Sequence, residues 1–106
     1  MAERPDLVLR GGTVADGSGG PLREADIAVS GGLVTAVGRI PESGREEIDA
    51  TGRLVTPGFV DVHTHYDAQA TWANHLTPSS CNGVTTVVMG NCGVGFAPVR
   101  PEHHDM

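Results

Sequence analysis

The sequence predicts a small all-β unit over residues 1–57, followed over residues 58–106 by the first strand–helix–strand units of a (β/α)8 barrel. Fifteen glycines and seven prolines in 106 residues favour short strands joined by turns in the first unit. After Pro57-Gly58 the strand-like runs become continuously apolar, which is typical of parallel strands covered by helices. A closed barrel needs about 250 residues. We therefore expect this chain to be the N-terminal part of a longer protein.

The first unit is predicted from runs rich in β-forming residues, which lie at residues 6–15, 25–29, 33–37, 46–49 and 53–56. The pair Gly11-Gly12 interrupts the first run and predicts a β-bulge or a tight bend. The pair Gly31-Gly32 separates the second and third runs. Because both glycines tolerate positive φ, this pair predicts a tight hairpin.

The second unit begins with two apolar runs, at residues 59–62 and 84–89, which we expect to be strands buried on both faces. Residues 77–83 have the order of a short helix, with Thr77 as N-cap, Pro78 at the first helical position and Gly83 just past the end. A strand, a helix and a strand in this order predict two parallel strands.

Charge and composition exclude several classes of protein. The net charge is −6, from seven arginines, no lysine and thirteen acidic residues, so no basic patch is available to bind nucleic acid. No run approaches the roughly 18 apolar residues of a membrane span, and the start lacks the apolar core of a secretory signal. We expect a cytoplasmic protein that contacts neither nucleic acid nor membrane. Two cysteines are too few for a disulfide scaffold.

His63 and His65 are candidate metal ligands, because side chains two residues apart on a strand point the same way while Thr64 points away. Cys92 follows the second apolar strand. In a barrel the C-terminal ends of neighbouring strands form one face, so the three side chains can be neighbours. Imidazole nitrogen and thiolate sulfur both bind zinc. The alternatives are a chance surface His-x-His, and for Cys92 a buried apolar role or a disulfide with Cys81.

Other polar and aromatic residues near the histidines have two interpretations each. Asp61 either accepts a hydrogen bond from a ligating histidine or is a structural acid. Tyr66 and Trp72 either line a substrate cleft or cover the barrel core. At three further places the simpler interpretation is better: Cys81 is expected to pack in the interior, His75 to have a structural role, and the polar segment 102–105 to be solvated rather than a metal cluster.

Several segments resemble the opening of the amidohydrolase superfamily. They are LRGGTVADG at residues 9–17, IDATG at residues 48–52 and PGFVDVHTH at residues 57–65. The segment GVTTVVMGNCGVGFAP at residues 83–98 is narrower and is similar to the N-acyl-D-amino-acid deacylases, or D-aminoacylases. Together these segments extend over nearly the whole chain.

The resemblance implies a β-sandwich built from both chain ends, whose first part is residues 1–57, and a metal-bearing barrel that starts within residues 58–106. It also implies hydrolysis of the amide bond of N-acyl-D-amino acids, small-molecule substrates, with one or two zinc ions. His63, His65 and Cys92 match the family's metal ligands. The remaining ligands and an aspartate general base come from later strands, so we expect this chain alone to be inactive.

Two other functions remain open. A dihydroorotase- or hydantoinase-like cyclic amidase resembles the first half equally well, and the segment Asn91-Cys92-Gly93 is what separates the two. The alternative from another class is a non-catalytic β-rich module whose histidines bind at most a loose metal. Because an unclosed sheet has exposed edges, self-association of the chain through these edges is also expected.

Overall fold

The computed structural model of this protein describes residues 4–91 and 100–103, and the chain divides into two compact units, Met1–Pro57 and Gly58–Met106. The first unit contains five strands, β1 (Leu7–Val14), β2 (Arg23–Ser30), β3 (Leu33–Gly38), β4 (Glu46–Asp49) and β5 (Leu54–Val55). The second contains β6 (Phe59–Asp61), helix α1 (Tyr66–Gln69), β7 (Val84–Val87) and two short 3-10 turns at Ser80–Asn82 and Pro101–His103.

The five strands of the first unit form one mixed sheet in the order β3-β2-β1-β4, with β5 also beside β1. Strands β1, β2 and β3 are antiparallel neighbours, whereas β4 and β5 run parallel to β1 along its first and second halves. All five predicted strands are therefore confirmed, and the described part of this unit has no helix.

The two glycine pairs have the predicted roles. The register of β1 against β2 shifts between Leu9 and Gly12, and Gly11 has φ +62°, so the first pair forms a bulge. A Cβ atom on Gly12 would lie 2.6 Å from Cγ2 of Val55, which shows that the missing side chain lets β5 approach. Gly31 and Gly32 have φ +59° and +77° and close the β2–β3 hairpin.

The core of the first unit lies on one face of the sheet. Val8 is fully buried, pairs across the strands with Ala28 and forms a cluster with Ala28 and Ile40. The other face carries an apolar groove of about 350 Å³, whose lining includes Leu9, Ile27, Val34, Val37 and Val55. Val34 and Val37 are exposed there. This face of the sheet is therefore covered only in part by the described residues of the unit.

Hydrogen bonds of Arg10 and Asp26 connect the bulge to the loop before β4. The Arg10 guanidinium donates to Asp26 Oδ2 at 3.2 Å and to Glu47 Oε1 at 2.6 Å. Asp26 also accepts the N–H of Gly11 at 2.9 Å and that of Ile40 at 3.4 Å. The hydrogen bond from Gly11, opposed by desolvation and assisted by Ile40 and Arg10, holds the pKa of Asp26 below its ordinary value.

In the second unit β6 and β7 pair in parallel, as predicted. Both strands are shorter than expected, since β6 ends at Asp61 and β7 at Val87. The connection between them contains α1, a single turn that was not predicted, and the 3-10 turn. The prediction of Thr77 as N-cap is wrong, because the turn begins after Ser79, although Gly83 does end it with φ +80°.

The expectation that both strands of the second unit are buried on both faces is wrong for this chain. Phe59 and Val60 point to opposite faces of β6 and are 61% and 58% exposed. Val62, Val88 and Met89 beyond the strand ends are also exposed. The reason is that no other element among the described residues of this unit packs on these side chains. In the described part of the chain no helix has the length and apolar character of a membrane span.

Candidate metal centre

His63 and His65 lie side by side just after the end of β6. Their ring centroids are 5.9 Å apart and the ring planes are tilted by 41°. Both side chains are exposed, whereas Thr64 between them is 6% exposed. The alternation expected for a strand thus continues past Asp61, and the two imidazoles occupy the same open side.

Thr64 anchors the histidine segment to the chain that leaves β7. Its N–H and its hydroxyl both donate to the carbonyl of Val88, at 3.2 and 2.8 Å. The N–H of Val88 in turn donates to the carbonyl of Asp61 at 2.8 Å. These contacts extend the β6–β7 pairing beyond the two strands, and they turn Thr64 inward so that its neighbours face outward.

The Asp61 carboxylate contacts the backbone of the histidine segment. Its Oδ1 accepts the backbone N–H of His63 at 3.1 Å, a local turn-forming contact over two residues. In this structure Asp61 therefore shapes the chain where β6 ends. The hydrogen bond from a histidine ring to Asp61 that the sequence suggested stays a prediction.

Asp67 and Asn91 add two further contacts that sequence reasoning missed. Asp67 is 4% exposed, and its Oδ2 accepts the N–H of Gly90 at 2.8 Å. The Asn91 side-chain amide donates to the carbonyl of Val62 at 2.6 Å. The available signal for Asp67 was an acidic residue in the first turn after His65, where it favours helix formation.

The aromatic residues near the histidines differ in their surroundings. Tyr66 is 5% exposed and donates its hydroxyl to the carbonyl of Leu76 at 2.9 Å, so it packs inside the second unit. Trp72 is 70% exposed. The packing role expected for Cys81 is wrong for this chain, because its side chain is exposed on the 3-10 turn. His75 is also exposed.

The residues present fit a zinc site in part. Two exposed neighbouring imidazoles are typical zinc ligands, and structural or catalytic sites need at least three protein ligands. Within residues 4–91 and 100–103 no group of three His, Cys, Asp or Glu side chains converges. Cys92, the third predicted ligand, lies outside the described residues. The described residues therefore bring together two imidazoles, which are fewer than the three protein ligands that a zinc site needs.

Comparison with known proteins gives consistent matches. The sequence profile of the Amidohydrolase family matches residues 46–105. A D-aminoacylase from Alcaligenes xylosoxydans xylosoxydans is 44% identical over 95 residues, which are 89% of this chain and 20% of that protein. The chain thus spans about a fifth of the length of the curated relatives it matches.

Solved structures show the same fold. An N-acyl-D-glutamate deacylase from Bordetella bronchiseptica, complexed with zinc and a phosphonate that mimics the tetrahedral intermediate, is 40% identical with a TM-score of 0.84. The match covers 95% of this chain and 22% of that one. A D-hydantoinase is 27% identical with a TM-score of 0.59, covering 77% of this chain and 19% of its own.

Proposed function

Because this chain belongs to the amidohydrolase family, we propose that it is the N-terminal part of a metal-dependent hydrolase that cleaves the amide bond of N-acyl-D-amino acids. The observation that carries the proposal is the pair of exposed imidazoles, His63 and His65, fixed beside each other where β6 leaves its parallel partner β7. The match to a D-aminoacylase and to an N-acyl-D-glutamate deacylase supports the substrate class.

His63, His65 and Cys92 are the residues of this chain that would hold one or two zinc ions. The bound metal would supply a Lewis acid for the amide carbonyl and lower the pKa of a water molecule that attacks it. The backbone on which the two imidazoles stand is already held by contacts of Thr64 and Asp61, so little backbone freedom would be lost on binding. Asp61 is proposed in addition to accept a hydrogen bond from the ring of a ligating histidine.

We propose that further chain completes both units. The open faces of β6 and β7 are suited to the helices and neighbouring strands of a (β/α)8 barrel, which would also bring the later ligands and the general base. The apolar groove of the first unit is suited to a second sheet, as in a β-sandwich. By this proposal the 106-residue chain alone hydrolyses no N-acyl-D-amino acid.

A cyclic amidase is the second candidate, and the structural match to a D-hydantoinase is the observation that favours it. The higher identity and TM-score of the deacylase support the acyclic substrate instead. The two candidates differ in the bond that is attacked, so substrate assays separate them directly.

The test uses the full-length protein that carries this chain. We expect stoichiometric zinc and hydrolysis of N-acetyl-D-amino acids, with little hydrolysis of N-acetyl-L-amino acids or of hydantoins. His63→Ala and His65→Ala should each lower zinc content and activity together, since each removes one ligand. The matched control is His75→Ala, which removes another exposed histidine of the same unit.

Three results would count against the proposal. Full activity of both histidine variants would exclude the metal assignment. Preferential hydrolysis of hydantoins would favour the cyclic amidase. Metal-dependent turnover by the isolated 106-residue chain would show that later residues are not needed.

A further inference from the structure

We propose that Thr64, Asp67 and Asn91 are positioning residues that fix the histidine segment, residues 61–67, against the chain leaving β7, and thereby set the positions of His63 and His65. The inference rests on the proposed function, because it assumes that His63, His65 and Cys92 bind one metal. It assigns a role to residues that do not themselves serve as metal ligands in that proposal.

The first argument is the pattern of contacts. Five hydrogen bonds join residues 61–67 to residues 88–91, and every donor or acceptor on the second segment lies within four residues before Cys92. The carbonyl of Val88 accepts two of them from Thr64, the N–H of Gly90 donates to Asp67, and Asn91 donates to the carbonyl of Val62. These contacts therefore hold the backbone that carries His63 and His65 against residues 88–91.

The second argument is the energetic cost of Asp67. Burying a carboxylate costs free energy that a single hydrogen bond from a neutral amide only partly offsets, and an apolar residue at the same place is often no less stable. Asp67 is 4% exposed, so it bears most of this cost. Stability of the fold alone therefore does not explain why this buried acceptor for Gly90 is present.

The third argument is the backbone at Gly90. Its φ of +85° is a conformation that residues other than glycine rarely adopt. A Cβ atom placed there would lie 3.6 Å from Asp67 Oδ1, which is ordinary contact, so space alone does not require glycine. Glycine is favoured here because of the backbone direction that this φ produces, and the hydrogen bond from the Gly90 N–H to Asp67 maintains that direction.

The test measures zinc affinity of the full-length protein by chelator competition, together with the visible spectrum of the cobalt-substituted protein, whose bands report ligand geometry. Thr64→Val removes the hydroxyl at constant shape, and Asp67→Ala removes the acceptor for Gly90. We expect each to weaken zinc affinity about 10- to 100-fold, the usual effect of losing a residue that orients a ligand, and to shift the cobalt bands. Asn91→Ala acts on an exposed side chain and should act in the same direction without opening a cavity.

Conservative variants and matched controls separate positioning from general stability. Thr64→Ser and Asp67→Asn keep the hydroxyl donor and an oxygen acceptor, and should restore affinity and spectrum. Asp6→Ala removes an equivalent 2.8 Å carboxylate contact to the N–H of Gly31 in the first unit. Thr71→Val removes an equivalent hydroxyl contact to a carbonyl, at 2.7 Å from Ala68 O. Neither control should change zinc affinity.

The outcomes distinguish this inference from the proposed function. A wild-type protein that binds no stoichiometric metal would overturn both. A wild-type protein with zinc, whose Thr64→Val and Asp67→Ala variants melt at lower temperature but keep the affinity and cobalt spectrum of the wild type, would overturn the positioning role alone. Loss of affinity in these variants, with rescue by Thr64→Ser and Asp67→Asn, would support it.

Discussion

Val60 offers a direct test of whether further chain covers β6, through the substitution Val60→Ala. In this chain Val60 is 58% exposed. Removing its two methyl groups from a fully buried site would cost about 1.6 kcal/mol of transfer free energy, at about 0.8 kcal/mol per group, and a residual cavity raises this to roughly 2–3 kcal/mol. With less than half of the side chain buried, the same substitution in the 106-residue chain should cost only about 0.7 kcal/mol.

Hydrogen exchange of the backbone amides of β6 and β7 measures this difference, because it reports the local free energy of opening. A loss of about 2 kcal/mol corresponds to roughly 30-fold faster exchange, and a loss of about 0.7 kcal/mol to roughly threefold. We therefore expect Val60→Ala to accelerate exchange about tenfold more in the full-length protein than in the 106-residue chain. Leu22→Ala is the control, since Leu22 is 60% exposed outside the strands. Equal threefold effects of Val60→Ala in both proteins would refute the reasoning.

Three further predictions concern single positions. Gly58→Ala should destabilise the second unit by about 1–3 kcal/mol in chemical denaturation, because an added Cβ would overlap the side chain of Thr85; wild-type stability would contradict this. Asp26→Asn should make the free energy of unfolding of the first unit depend less on pH in the acid range. The hydrogen bond from Gly11 lowers the pKa of Asp26, so the carboxylate's contribution to stability is present above the unfolded pKa of about 3.9. That contribution is lost as the pH falls through the lowered pKa of the folded state. If urea titrations of the variant show the same dependence of stability on acidic pH as the wild type, this role is excluded. Gly31→Ala should cost about 1 kcal/mol through its φ of +59° alone, since nothing lies near a Cβ there, and Gly31→Asn should cost less.

The strands and glycine turns of the first unit could be predicted because their signals are local, whereas the parallel pairing of β4 and β5 with β1 was not predicted. Glycine pairs placed the bulge at Gly11-Gly12 and the hairpin at Gly31-Gly32, and both depend on backbone φ that glycine adopts without strain. The parallel pairing of β6 with β7 followed from the apolar runs and the connection between them. Local patterns of this kind do not show which faces are covered, so the exposure of Phe59 and Val60 could not be read from them.

The side-by-side placement of His63 and His65 was predictable, but the contacts that hold their backbone were not. His63 and His65 were recognisable from their spacing, and the alternation of side chains predicted that Thr64 turns inward. The contact between Asp67 and Gly90 joins residues 23 positions apart, and no periodicity in the sequence marks it. The metal set, self-association and a cytoplasmic location stay predictions.

The contacts that hold the histidine segment also indicate when during synthesis this part of the chain can acquire its structure. The side-chain contacts that join residues 61–67 to residues 88–91 close loops of at most 29 residues, and short loops have a low entropic cost of closure. Proteins acquire structure from the N-terminus onward during synthesis, at about 5–20 residues per second. All the partners of these side-chain contacts have therefore been translated once Asn91 is added to the chain.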